Sequence, residues 1–208
     1  MDAKDQIREV NAVLDKLTRF RHLNGWAAVA AGVIAILGFF SINVLFRFKP
    51  LDMEYYFEKV HVGIGWNLVI FFGVLLLVTG IICGAIVLFS LPKNLTAPAF
   101  KNLIRLVGTL SLYIIGGGLV AFRILEPDST NFTNIMLMPT LMSILYGLAL
   151  MHVSYFSENI LKYVGIYIFI CGCIAAFIPN YSWLLWVIAF GGGHIVAGIL
   201  MIRKKNLG

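Results

Sequence analysis

The fold class this sequence predicts is all-α: a polytopic membrane bundle of six transmembrane helices, preceded by a short amphipathic helix. Two observations carry the prediction. Of the 208 residues, 60% are hydrophobic and only 12% are charged, about half the roughly 25% charged residues of a soluble domain. Long stretches also lack any charge. Trp26 to Phe46 and Val62 to Leu91 are uncharged throughout, and each exceeds the roughly 18 apolar residues that mark a spanning helix. A water-facing domain of this size could not hide so much apolar surface, whereas lipid tails solvate it.

The chain divides into residues 1–22, a cytoplasmic amphipathic helix, and residues 23–208, the transmembrane domain. In the first, Ile7, Val10, Val13, Leu14, Leu17 and Phe20 recur at three- and four-residue steps, the period of one helix face. Ile7, Val10, Leu14 and Leu17 also fit a heptad seam, but it is too short for a stable coiled coil. The stripe therefore lies on the membrane surface, packs under the bundle, or serves a protein partner or self-association. Its balance of acidic and basic residues weakens the first reading, because lipid-binding helices are plainly basic. So long a polar segment ahead of the first apolar run does not fit a cleavable signal peptide. The first run is expected to stay as a span.

The six spans are expected at 24–46, 61–90, 103–125, 134–156, 160–178 and 182–202. The second is longer than a bilayer needs, so it tilts or protrudes. Residues 47–59 form a polar loop, Pro92 and Pro98 interrupt helix after the second span, and residues 126–133 form an acidic loop. Only Pro179, Asn180 and Tyr181 separate the last two spans, which makes those helices antiparallel neighbours. Orientation follows from charge. With the N-terminus inside, twelve of the 16 Lys and Arg residues are cytoplasmic, and only Arg47, Lys49, Lys59 and Arg123 face outward. That bias is the positive-inside signal. It puts both termini in the cytoplasm.

Few residues could carry chemistry. Ionisable groups within a membrane are costly and are candidates for function by default. His194 lies near the middle of the sixth span, His152 toward the cytoplasmic end of the fourth, and Arg105 just inside the start of the third, with Thr109 and Ser111 beyond it. These are the ligand or cavity candidates, and they could converge on a polar cavity open to the cytoplasm. The plainer reading is that Arg105 and His152 snorkel to the interface, while His194 bonds a neighbouring helix. For helix packing the candidates are Gly80 with Gly84, a small-xxx-small pair, and Gly191 with Gly198, which share a face with His194 and pack most simply on the fifth span. The triplets Gly116–Gly118 and Gly191–Gly193 leave open an unwound segment beside a cavity.

Several function classes drop out. The net charge of +6 sits at helix ends and not in one patch, so no nucleic acid partner is expected. Cys83, Cys171 and Cys173 lie inside apolar runs and read as packing residues, not as disulfides or metal ligands. His152 and His194 differ by roughly 9 Å in depth along their spans, a poor spacing for one haem, so neither a metal nor another cofactor is expected. No phosphate loop, His-Glu-x-x-His or Gly-x-Ser-x-Gly motif is present, and no enzyme is expected. No carboxylate falls within a span, against an ion-coupled transporter. No span carries a sustained polar stripe, against a channel.

Leu17-Thr18-Arg19-Phe20, Leu23-Asn24-Gly25 and Ala31-Gly32 open the chain. Tyr146-Gly147-Leu148-Ala149-Leu150, Lys162-Tyr163-Val164-Gly165, Phe190-Gly191 and Gly193-His194-Ile195-Val196-Ala197-Gly198-Ile199 follow. In order and spacing, across most of the chain, this resembles a family of uncharacterised bacterial six-helix integral inner-membrane proteins. The departure is in the first span, where Asn24 and Trp26-Ala27-Ala28 replace a Ser/Gly pattern. The resemblance implies a bacterial inner-membrane protein, makes Arg19-Phe20 and glycine-flanked His194 shared features, and brings no activity with it.

The function expected is that of a non-enzymatic membrane protein: a scaffold, sensor or partner subunit working through its N-terminal helix. The alternative is a small transporter or permease component for an apolar or amphipathic solute, which needs a cavity lined by His194 and other polar groups. The topology is testable with a reporter active only outside the cytoplasm. Fused within residues 126–133 it should be active, and fused after Gly208 it should be silent. The reverse pattern would overturn the charge-based orientation.

Overall fold

Where no water is available to the backbone, each N–H and C=O finds its partner within the segment, which leaves the helix as the way to use long apolar runs. The structure, a computed structural model, describes residues 5–7, 24–45, 64–91, 97–124 and 132–206. Nearly all of these are helical, and there is no strand among the described residues. The helices are α1 (Gly25–Leu45), α2 (Ile64–Ser90), α3 (Ala97–Ile124), α4 (Phe132–Val153) and α5 (Ile160–Phe177). Then α6 (Ser182–Val187) runs through a π turn (Ile188–Gly192) into α7 (Gly193–Asn206). Among the described residues, five helices are long and apolar enough to cross a membrane, with α6, the π turn and α7 counting as one, and Gly25–Ser41 of α1 adds a shorter apolar helix. The N-terminal stripe beyond Ile7 and the loops at 47–59 and 126–131 lie outside the described residues.

Most boundaries fall within a few residues of expectation, and two features differ. Pro98 does not interrupt helix, because α3 already begins at Ala97. Proline is tolerated in a first turn, where its missing N–H has no helical partner in any case. Neither glycine triplet is unwound: Gly116–Gly118 sits within continuous α3, and Gly191 and Gly192 close the π turn.

Glycines set the closest helix contacts. A Cβ at Gly198 would stand 2.5 Å from the Gly25 carbonyl oxygen, and one at Gly32 would stand 2.6 Å from that of Gly191. So Gly25 faces Gly198, and seven residues on Gly32 faces Gly191 seven residues back, an antiparallel register with the two backbones in contact. Gly191 and Gly198 lie against α1, where the fifth span had been expected. A second contact of the same kind joins α4 and α5. A Cβ at Gly147 would lie 2.7 Å from the Gly165 carbonyl oxygen and the reverse distance is also 2.7 Å, while Gly172 abuts Ser143 and Ile144.

The remaining helices arrange around these two pairs. α2 packs chiefly on α1, and α3 chiefly on α4. Leu150, Val164, Ile168, Cys171, Ala189 and Ala197 form the main core, and Ala99, Leu106 and Val153 a smaller one under α3. Gly80 and Gly84 depart from expectation within this chain: a Cβ at either would meet nothing within 4 Å. At the end of the bundle where α1 starts and α7 finishes, Lys204 Nζ lies 2.9 Å from Glu158 Oε2 in the turn between α4 and α5.

Substitution should separate the two kinds of glycine. Gly32→Leu or Gly198→Leu forces apart backbones in contact and should cost about 1–3 kcal/mol each by overpacking. Gly80→Leu and Gly84→Leu should leave the thermal midpoint in detergent unchanged. Equal losses from all four variants would contradict the α1–α7 contact.

Candidate functional site

The three candidate polar residues fall into two places. His194 lies two residues past the π turn and is buried. Its Nδ1 lies 2.8 Å from the Phe190 carbonyl oxygen and its Nε2 lies 3.0 Å from the Tyr146 hydroxyl of α4. A carbonyl can only accept, so Nδ1 carries the ring proton, and in the neutral imidazole Nε2 accepts from Tyr146. Both ring nitrogens are engaged.

An aromatic column surrounds this pair. Tyr146 stacks on Phe190 with ring centroids 4.7 Å apart, and Phe190 stacks on Trp186 at 5.2 Å. His194 lies parallel to Phe190 within 18° at 5.9 Å, and Trp183 meets Trp186 edge-on at 6.5 Å. Of this column only His194 was singled out by the sequence; Tyr146 comes from another helix and sits in an unbroken apolar run. The π turn ends on Gly191 and Gly192, and such turns are common at functional positions.

Arg105 and His152 lie elsewhere, and together. With Gly108, Thr109 and Leu112 of α3 and with Phe156 after α4, they line an open groove of about 470 Å³. Both side chains are exposed. Arg105 Nη1 donates to Asn102 Oδ1 at 3.4 Å from a buried asparagine one turn earlier. The His152 ring meets Phe156 edge-on at 6.2 Å. The predicted convergence is thus half realised: Arg105, Thr109 and His152 share one cavity, while His194 and Ser111 take no part in it. His194 is buried against a phenol, too deep in the packing to reach the groove.

The groove offers a permanent cation, an imidazole and a hydroxyl between apolar walls, which suits holding an anion. It contains no thiol, carboxylate or serine for nucleophilic chemistry. Among the described residues no group of three or more His, Cys, Asp or Glu side chains could hold a metal ion. The three cysteines are free; the Cys83 thiol donates to the Ala27 carbonyl at 3.3 Å and Cys171 belongs to the main core. In comparisons with known proteins, the chain matches no family model, no curated protein and no solved structure.

Tyr146→Phe keeps the aromatic column and removes only the donor to His194, so it should cost about 1 kcal/mol, the worth of one hydrogen bond between packed helices. Phe190→Ala opens the column at its middle and should cost about 3 kcal/mol. Chemical unfolding in micelles would measure both. A larger cost for Tyr146→Phe than for Phe190→Ala would mean that the hydrogen bond, more than the stack, fixes α7 against α4.

Proposed function

We propose that this chain is a non-enzymatic integral protein of the bacterial inner membrane, crossing six times with both termini in the cytoplasm and serving as a scaffold or partner subunit of a membrane assembly. Its resemblance to the six-helix bacterial family belongs to the same proposal. Antiparallel packing of α1 on α7 supports the topology, since helices at the two ends of a chain run oppositely only after an even number of crossings. The charge pattern agrees: Lys101, Arg105, Lys162, Arg203 and Lys204 belong to the end where α7 finishes, as the cytoplasmic side requires.

The observation that carries the partner role is the open face of α2. No residue from 73 to 90 is buried, and a Cβ at Gly73, Gly80 or Gly84 would meet nothing within 4 Å. These glycines share one face with Leu77 and Ile81, both exposed. Between membrane helices lipid is as apolar as leucine, so association rests on close backbone approach, which small residues permit. An outlying span with an unfilled glycine face is shaped to receive another helix. Residues 1–22 offer a second contact on the cytoplasmic side. A transporter reading draws less support, because His194 is closed off by Tyr146 and Phe190.

Photo-crosslinking residues placed at Leu77 or Ile81 should yield discrete protein adducts in native membranes, and the same residue at exposed Tyr163 on α5 should not. Gly80→Leu or Gly84→Leu should abolish those adducts without unfolding the chain. Lipid adducts alone from all three positions would remove the case for a partner on α2.

A further inference from the structure

We propose that the groove between α3 and α4 is a binding site for an anionic phospholipid, with its phosphate on Arg105, Thr109 and His152 and an acyl chain along Gly108 and Leu112. The inference rests on reading the chain as membrane-spanning, and it concerns a different face from the one assigned to a partner.

Electrostatics select the anion. The Arg105 guanidinium is a planar fork of donors that matches phosphate oxygens. Buried Asn102 holds one of its nitrogens at 3.4 Å, so the fork is oriented and not left to swing. Lys101 is exposed one turn nearer the start of α3. Among the described residues from 24 to 206, Glu158 is the one carboxylate, and Lys204 already holds it at 2.9 Å. No negative charge in the groove lining competes for Arg105.

Shape selects the lipid. Arg105, then Gly108 and Thr109, then Leu112 occupy successive turns of α3 and descend roughly 10 Å from the polar end, at 1.5 Å per residue. The groove therefore passes from cation and hydroxyl to apolar wall along the direction in which a phospholipid passes from phosphate to acyl chain. Its volume of about 470 Å³ lies within the range of small-molecule sites, roughly 300–1,000 Å³. Gly108 keeps the floor open: a Cβ there would meet nothing within 4 Å, and neither would one at Gly116, two turns further along the same face. The Phe156 ring, set edge-on to His152, lines the groove as well. A soluble anion would use the charged end of this groove and leave the apolar length unused.

The test is native mass spectrometry of the full chain released from detergent with added phosphatidylglycerol, or with phosphatidylcholine of the same acyl chains. Phosphatidylglycerol should be retained at least tenfold better. Arg105→Ala should lose most of that preference. Gly108→Leu, which fills open space and leaves every charge in place, should lose retention of the lipid as well. Lys101→Ala should change retention less than twofold, and inorganic phosphate in large excess should fail to displace the lipid. Equal retention of the two lipids, or unchanged retention in both Arg105→Ala and Gly108→Leu, would overturn the assignment. Equal loss with Lys101→Ala would show diffuse attraction and no site. Displacement by phosphate would replace the lipid with a soluble anion. Flotation of each variant with vesicles reports membrane integration separately, so a failed lipid site remains distinguishable from a failed membrane reading.

Discussion

Contact between backbones at glycine, α1 on α7 and α4 on α5, is the constraint on which the arrangement of the other helices depends. Inside a bilayer the apolar side chains that would drive association in water gain nothing by leaving lipid, so surface fit decides which helices adjoin. Gly25 against Gly198 and Gly32 against Gly191 bring the first and last helices together, and Gly147 against Gly165 does the same for α4 and α5. α7 and the π turn before it also pack on α5, which joins the two pairs. α2 and α3 are then left with one main neighbour each.

Depth decides how the three candidate polar residues are treated. An unpaired polar group in an apolar interior costs several kcal/mol by transfer arguments, roughly 2–7. His194 meets that demand with two partners, the Phe190 carbonyl and the Tyr146 hydroxyl, and by doing so it ties α7 to α4. Arg105 and His152 face no such demand because both are exposed. The side chains of the buried site are used up in holding helices together, whereas those at the rim remain available to a ligand. For this chain the intramembrane histidine, the stronger suspicion on general grounds, is the structural one.

Much of this was readable beforehand because the relevant signals are local. Helix identity and most boundaries follow from runs of apolar residues, and the small-residue face of Gly191 and Gly198 is a spacing pattern. What was not readable is relational. The pattern says that a backbone will approach Gly198 but not whose, and the chain offers Gly25–Gly32 and Gly165–Gly172 at the same seven-residue spacing. Tyr146 carries no mark as the partner of His194 until α4 is set against α7. Pro98 shows the opposite failure: the residue type was read correctly as a helix breaker, yet its position in a first turn made the break unnecessary.

The glycines also sort by where their open side points. Within a helix, glycine is less favourable than alanine by roughly 0.5–1 kcal/mol, and that cost is offset where its bareness admits another backbone. For Gly25, Gly32, Gly147, Gly165, Gly191 and Gly198 the offset comes from within the chain. Among the described residues, Gly73, Gly80 and Gly84 on α2, Gly108 and Gly116 on α3, and Gly192 in the π turn have no such neighbour within 4 Å. The five on α2 and α3 lie on the two outlying helices and meet no other part of the described residues there. The surroundings differ in kind. The α2 face has only apolar residues beside its glycines, Leu77 and Ile81 among them, as fits another helix. The α3 face has Arg105, Thr109 and His152 at its polar end, as fits an amphipathic anion. One physical cost, met inside the bundle by packing, thus singles out two different outward surfaces.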